Sequence, residues 1–174
     1  MPTREVSVQR FSITSFRPFG EVLEALQSVL GHPDITQFTN DISRARTSTE
    51  LEAIVRNAIG LSGFMEFTHF DLGAVLRLQN GGHGPRILRL VLGNPLVMSQ
   101  MAQHSPDAAS YAPVTVLIDE RADGVHLSYD RMASYLAPYG NAEALKVARE
   151  LDAKVEALLT AAAFSESTPL GRTA

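Results

Sequence analysis

A histidine and a carboxylate stand two positions apart in an aromatic-rich segment of this chain. His69 and Asp71 belong to residues 64–78, which are typical of one long bent strand or of two strands joined at Gly73. Alternate side chains of a strand point to the same face, so we expect the imidazole and the carboxylate to lie side by side. Asp71 would then orient His69 as a general base. A structural pair at a sheet edge is the alternative that we favour, because the sequence places no nucleophile or third ligand nearby.

A turn between a strand and a helix supplies further candidates. Asn94 stands between Gly93 and Pro95, where free backbone amides suit a carboxylate or phosphate, although turn geometry alone also explains the triplet. Met98 follows on the short helix that Pro95 opens, and its thioether suits either a soft ligand pocket or core filling. We expect a ligand pocket to be lined by residues from these segments and a neighbouring strand, namely Phe67, His69, Asp71, Asn94, Met98 and Tyr129.

Composition and charge exclude several functional classes. The formal net charge is -4, with 19 acidic and 15 basic residues spread along the chain, so we expect no nucleic-acid partner. The chain has no cysteine, which removes thiolate chemistry and cysteine metal sites. The five histidines lack zinc-ligand spacing, and no serine stands in a nucleophile elbow. We therefore predict no metal site, and the sequence identifies no cofactor.

Hydrophobic periodicity predicts the remaining elements. Further strands are expected at residues 6–13, 86–92, 113–118 and 125–129. Longer helices are expected from a Ser15 cap to residue 30, over residues 47–60 with a capping box that begins at Thr47, and from an Asn141 cap along the last apolar stripe. Residues 34–46 suit a short helix or a loop.

These elements predict an α+β fold, with an antiparallel sheet of four to five strands and helices packed on one face, including a long C-terminal helix. Residues 1–164 are expected to form a single domain and residues 165–174 a flexible tail. The chain shows neither an apolar leader nor the roughly 20 apolar residues of a membrane span. We therefore expect a cytoplasmic protein with no membrane partner.

The segment 67–136 carries an ordered series of short motifs. An Asp-containing strand is followed by a strand that ends in Gly-Asn-Pro, a short helix, and a proline-led strand with an Asp-Gly hairpin. The matching residues are Phe70, Asp71, 86–92, Gly93, Asn94, Pro95, Pro106, Ala112, Pro113, Val114, Asp123, Gly124, Ser128, Tyr129 and Asp130. In this order they resemble the domain of unknown function 302 family. Family members often carry histidine after the strand aspartate, where this chain has Leu72.

The resemblance implies a sheet with a terminal helix, similar to the TATA-binding-protein-like and helix-grip folds, in proteins often found as homodimers. It implies no established reaction. Our first hypothesis is a noncatalytic binding module with an apolar pocket between the sheet and the C-terminal helix, which takes a small apolar or amphipathic ligand. The second is an enzyme that uses His69 and Asp71 as an acid-base pair. The third is a homodimeric interaction or structural protein, joined through an edge strand or through apolar residues of 34–63.

Overall fold

A five-stranded antiparallel sheet lies at the centre of the computed structural model, which describes residues 3–164. The strands are β1 (Arg10–Ser15), β2 (Met65–Asp71), β3 (Ile87–Gly93), β4 (Val114–Arg121) and β5 (Gly124–Asp130). Strands β2 to β5 form a meander and β1 pairs with β5, so the spatial order is β1-β5-β4-β3-β2. This sheet, with its helices, confirms the predicted α+β class.

Seven α-helices accompany the sheet in the described part of the chain. They are α1 (Phe19–Gln27), α2 (Ile35–Arg44), α3 (Ser48–Ala58), α4 (Gly73–Gln79), α5 (Pro95–Ala102), α6 (Met132–Leu136) and α7 (Ala142–Phe164). Short 3-10 helices lie at Pro106–Ser110 and Ala137–Tyr139. Helix α7 is the long C-terminal helix that the last apolar stripe predicts. The tail expected at residues 165–174 lies outside the described residues.

The main core packs between one face of the sheet and helices α1, α5 and α7. Alternate strand residues such as Leu90, Val116 and Leu127 are fully buried, because period-two patterning turns them to the same face. Helix α7 adds a stripe that includes Val155 and Leu159. A smaller cluster fastens α2 and α3 to the edge strand β2, and its buried members are Phe38, Val55, Ala58 and Met65.

Side-chain caps fix where four helices begin. The caps are Asp34 of α2, Thr47 of α3, Asn94 of α5 and Asn141 of α7, each accepting a hydrogen bond from a backbone amide in the first turn. The predicted caps at Thr47 and Asn141 are therefore confirmed. Residues 34–46, which suit a helix or a loop, hold helix α2.

The prediction of strand structure throughout residues 64–78 is wrong, because the strand ends at Asp71 and α4 follows. Asp71 accepts a hydrogen bond from an amide in the first turn of α4 at 2.9 Å and pairs with Arg77 Nη2 at 2.6 Å. Both contacts stabilise the helix start. A β-carbon at Gly73 would lie 2.6 Å from the carbonyl oxygen of Pro85, so the chain turns here where a larger residue would not fit.

The first strand and the first helix begin later than the sequence predicts. The strand expected at residues 6–13 is β1, and Ser15 ends it instead of capping a helix. The Ser15 hydroxyl donates a hydrogen bond to the Ala163 carbonyl oxygen at 2.7 Å, which ties β1 to α7. Helix α1 begins directly after Pro18, whose φ of -54° suits a helix start. Helix α6 is not predicted, because five residues are too few to show a helical period.

Two loops cross at glycines where the α2–α3 segment joins the sheet. Gly31 follows α1 and Gly60 follows α3, and the amides of both donate to the carbonyl oxygen of Phe64 at 2.9 Å. A β-carbon at Gly31 would lie 1.9 Å from the carbonyl oxygen of Ala58, so glycine is required for this approach of two backbones. The crossing places α2 beside the edge strand β2.

Candidate ligand-binding site

An apolar cleft of about 260 Å³ lies where the two hydrophobic clusters meet. The smaller cluster supplies one wall, through Phe38 and Ile42 of α2 and Phe67 of β2. The opposite wall combines α5, the segment before β4 and one residue of α7, and it includes Val97, Met98, Met101, Ala112, Pro113 and Leu151. The cleft is partly open to solvent, and almost all of its lining is apolar.

The turn between β3 and α5 contributes its backbone to the cleft. A β-carbon at Gly93 would lie 3.4 Å from Cβ of Pro113 and 3.6 Å from the ring of Phe67, so the glycine keeps this part of the cleft open. The Asn94 side chain accepts a hydrogen bond from Leu96 N at 2.9 Å and donates one to Gly63 O at 3.0 Å. Its polar atoms thus bind the protein backbone, which leaves the cleft without a strong polar group.

The structure brings together three of the six residues that we expect around a pocket. Phe67, Asn94 and Met98 line the cleft, although they come from β2, the turn and α5. His69, Asp71 and Tyr129 lie elsewhere and have partners of their own. Helix α7 contributes Leu151 alone among the described lining residues, so the cleft lies mainly between α2, β2 and α5 rather than between the sheet and the C-terminal helix.

Tyr129 is buried beneath α7 and holds two elements together. Its hydroxyl donates to Asp152 Oδ1 at 2.7 Å, and the same carboxylate accepts the amides of Met132 at 2.7 Å and Ala133 at 3.1 Å. Burial raises the pKa of Asp152 and, together with the neighbouring carboxylate, raises the pKa of Tyr129. This network joins β5, the start of α6 and α7, and its role is structural.

His69 and Asp71 have different partners in the structure. His69 Nδ1 lies 2.5 Å from Oε1 of Glu66, whose side chain is 6% exposed, whereas Asp71 pairs with Arg77. The Arg77 guanidinium lowers the pKa of Asp71. A second histidine, His32, has Nδ1 3.8 Å from the other oxygen of Glu66. The geometry therefore offers no observation in favour of an acid-base pair between His69 and Asp71.

A bulge in β2 explains why Glu66 replaces Asp71 as the partner of His69. The pairing with β3 shifts between Glu66 and Thr68, so Glu66 lies opposite Leu92 and His69 opposite Leu90. Both positions therefore lie on the same side of the sheet, although they are three residues apart in sequence. Period-two reasoning correctly places His69 and Asp71 on one face, but it does not reveal Glu66.

Sequence reasoning also missed most of the apolar cleft. Phe38 and Ile42 recur at helical spacing in a segment that the sequence leaves between helix and loop, and this spacing was the available signal. Ala112 and Pro113 belong to the motif that precedes β4, but nothing in their types indicates that they face α2. The position of α2 depends on the glycine crossing, which is a contact between distant segments.

Within residues 3–164, no group of three or more histidine, aspartate or glutamate side chains is arranged to hold a metal ion. Over the same residues, none of the helices is both long enough and apolar enough to span a membrane.

The fold places this chain among the α+β proteins, with an antiparallel sheet and a long final helix. Residues 41–162 match the family model described as "Domain of unknown function DUF302". The chain belongs to this family. The match includes α3 to α6, β2 to β5 and nearly all of α7, and thus most of the cleft.

A solved structure supports the fold independently. The chain is similar to the uncharacterized conserved protein DUF302 from Bacillus stearothermophilus, with a TM-score of 0.62 and 9% sequence identity. The similarity covers 89% of this chain and 98% of that chain. At this identity the likeness concerns the fold alone. A comparison with curated proteins finds no match.

Proposed function

We propose that the chain is a noncatalytic binding module for a small apolar or amphipathic ligand, and that the cleft beside α5 is its site. The observation that carries this proposal is an open cleft of about 260 Å³ with an apolar lining. Apolar walls gain free energy when a ligand displaces water from them. Met98 and Met101 add polarisable side chains that adapt to irregular ligands.

The size of the cleft limits the ligand. An apolar cavity of about 150 Å³ accommodates benzene, so about 260 Å³ suits one or two rings or a short alkyl chain. Asn94 uses its side chain to bind backbone atoms, and we therefore expect shape and apolar contact to dominate recognition. A polar end of an amphipathic ligand would remain at the solvent-exposed opening.

Methionine methyl groups provide a direct test of ligand position. Met98 and Met101 line the cleft, Met65 lies in the smaller cluster, and Met132 lies in the main core outside the lining of the cleft. With ¹³C-methyl-methionine protein, titration with naphthalene derivatives and short alkyl alcohols should shift the Met98 and Met101 signals and leave Met132 in place. Shifts spread over all methionines, or none at millimolar probe, would contradict the proposal.

Filling the cleft should weaken binding of these probes. Val97→Phe adds a larger side chain to the cleft wall, and we expect the affinity for the apolar probe to fall at least about tenfold because the new ring occupies its space. Val8→Phe is the matched control, since Val8 is 44% exposed and outside the cleft. Titration calorimetry with both variants measures the difference. Equal affinities would place the probe elsewhere.

A second candidate is a homodimer joined at the β2 edge. Next to this strand lies an exposed apolar surface, the α4 patch, formed by Phe70, Leu72, Val75, Leu76 and Leu78. Their exposed fractions run from 38% at Leu76 to 83% at Leu78, high values for five large apolar side chains so close in sequence. Gly31 pairs with the start of β2 at Met65, but beyond Glu66 no described strand pairs with the outer side of β2, and such an edge has unpaired backbone groups. Two copies could pair their β2 strands and cover both patches.

Charge on the α4 patch should dissociate this dimer. We expect the double variant Val75→Glu and Leu78→Glu to be monomeric at tens of micromolar, because two carboxylates cannot be buried at the interface without partners. The control is Leu61→Glu, a change at a residue that is 93% exposed and outside the patch. Sedimentation velocity of the three proteins gives the answer. A wild-type protein that stays monomeric at these concentrations would exclude the dimer.

A further inference from the structure

The sheet face opposite the main core carries a polar groove. Two adjoining depressions of about 240 Å³ each share Arg89, Thr115 and Asp130, and we call them together the open-face groove. The first extends to Tyr111 and Tyr135, and the second to Arg10 and Ser128. The strand register explains the shared residues, because Thr115 pairs with Val91 of β3, two positions from Arg89, and lies near Asp130 of β5.

Arg89 provides an unused cation at the centre of the open-face groove. It lies between Phe70 and Leu117 in the sheet register, and its side chain is exposed. In the described part of the chain, its guanidinium has neither a hydrogen-bond acceptor nor an ion-pair partner. By contrast, Arg86, the residue directly before β3, pairs with Glu120 at 2.8 Å. An arginine fork matches carboxylate and phosphate oxygens in two parallel hydrogen bonds.

Three hydroxyl groups line the same groove. Ser110, Thr115 and Ser128 make no side-chain hydrogen bond to any described residue, so all three hydroxyls can donate to a bound group. Ser110 borders the first depression, Ser128 borders the second, and Thr115 borders both, as Arg89 does. Cationic and hydroxyl donors together are the usual complement of an oxyanion.

The negative charge within the groove is already neutralised. Among the described residues that line it, Asp130 is the one acid, and Arg10 pairs with it through Nε at 2.6 Å and Nη2 at 2.9 Å. This pairing lowers the pKa of Asp130. Two guanidinium groups and one carboxylate leave the groove with one net positive charge, in a chain whose net charge is -4.

Two stacked tyrosines form an apolar wall at one end. The rings of Tyr111 and Tyr135 lie 4.7 Å apart with an interplanar angle of 13°, and both border the depression that contains Arg89. The hydroxyls of Tyr111 and Tyr139 are hydrogen-bonded at 2.7 Å, which holds the pair in place. A planar ligand ring can pack against this wall while its charged group reaches the donors.

We propose that the open-face groove binds a small ligand with an oxyanion attached to a planar ring, with Arg89 holding the oxyanion and the Tyr111–Tyr135 wall contacting the ring. The site is separate from the apolar cleft, although residues 112–114 border both. An aryl phosphate and an aryl carboxylate share this chemistry. The relative affinities of an aryl phosphate and an aryl carboxylate for the groove show which of the two it prefers.

Phenyl phosphate, benzoate and the neutral analogue phenol are suitable probes. Met132 lines the groove and not the cleft, so its methyl signal and the amides of Thr115 and Ser128 report occupancy of the groove. We expect at least one of the anionic probes to shift these signals, and phenol to bind at least about tenfold more weakly because it lacks the charge-assisted contact. The tighter of the two anions identifies the ligand class.

Arg89→Gln should weaken binding of the anionic probe by about tenfold or more, and Arg89→Lys should give an intermediate loss because it keeps the charge without the fork. Arg149→Gln is the control, since Arg149 is exposed on α7 away from the groove. The Arg89→Lys variant also remains informative if the glutamine variant folds poorly.

Three results would overturn the proposal. They are equal affinity of the wild type and Arg89→Gln, no binding of either anion at 10 mM, or shifts confined to Met98 and Met101. These outcomes do not bear on whether naphthalene probes bind to the cleft, so the proposed function is tested separately.

Discussion

Gly31→Ala is expected to destabilise the domain by roughly 3 kcal/mol or more, because a β-carbon cannot fit at the loop crossing. The new atom would lie 1.9 Å from Ala58 O and 2.8 Å from Gly60 N, and both are backbone atoms that cannot rotate away. Relief requires the loops to separate, which breaks the two hydrogen bonds to Phe64 O. Urea denaturation followed by circular dichroism measures the change in the free energy of unfolding.

Gly20→Ala is the matched control for this experiment. Gly20 lies in α1 with no atom within 4 Å of its added β-carbon, so alanine should increase stability by about 0.5–1 kcal/mol. A loss of stability in Gly31→Ala together with a gain in Gly20→Ala would confirm that the two loops cross closely at Gly31. If Gly31→Ala were as stable as the wild type, the two loops could not lie as close as the structure places them.

Asp152→Ala is the second change with a large expected effect, a loss of about 3–5 kcal/mol in the free energy of unfolding, because each buried donor left without its acceptor costs about 1–3 kcal/mol. The carboxylate accepts three hydrogen bonds, so its removal leaves the Tyr129 hydroxyl and the Ala133 amide without this acceptor. The Met132 amide keeps only its longer hydrogen bond to the Tyr129 hydroxyl, at 3.2 Å. These donors are largely buried and cannot recover the loss by binding water. The shift of the urea denaturation midpoint quantifies the effect, provided that the free energy of unfolding depends on urea concentration with the same slope in both proteins.

Two further variants show that the loss comes from the shared acceptor. Tyr129→Phe removes one donor and leaves the carboxylate with the two amides, so we expect a smaller loss of about 1–2 kcal/mol. Glu150→Ala changes an exposed acid on the same helix and should stay within about 0.5 kcal/mol of the wild type. A loss at Asp152 no larger than that at Glu150 would mean that the network contributes little to stability.

The elements that the sequence predicts best are those whose signals lie within a few residues. The hairpin around Asp123 and Gly124, the cap at Thr47 and the Gly-Asn-Pro turn before α5 all appear in the structure where their patterns place them. Each depends on residues within a few positions. The family resemblance depends on the order of such local motifs, and the match over residues 41–162 bears it out.

Predictions failed where a tertiary contact decides between two local possibilities. Residues 72–78 have the composition of a strand, but the ion pair between Asp71 and Arg77 and the close packing of Gly73 turn them into α4. Ser15 has the type of a helix cap, but its hydroxyl binds Ala163, which is remote in sequence. Neither partner is visible in a window of neighbouring residues.

The candidate site shows the same division. Asn94 and Met98 are near neighbours in one motif, and both line the cleft. Tyr129 alternates with Leu127 on the buried face of β5, and the sequence does not reveal that Asp152 meets it there. The polar groove on the uncovered face of the sheet has no sequence signal, because Arg89 has the type and spacing of an ordinary outward-facing strand residue. Only the structure shows that its guanidinium has no partner among residues 3–164.

The position of β1 has a consequence for how the chain folds. This strand pairs with β5 in a register that joins Arg10 to Asp130, whereas β2 to β5 pair in sequence order through closer partners. Closing so long a loop costs more chain entropy than forming the meander. During synthesis on a ribosome, the strand made first must therefore wait for the strand made last. We expect β1 to dock late, with the β2–β5 meander already formed as its template.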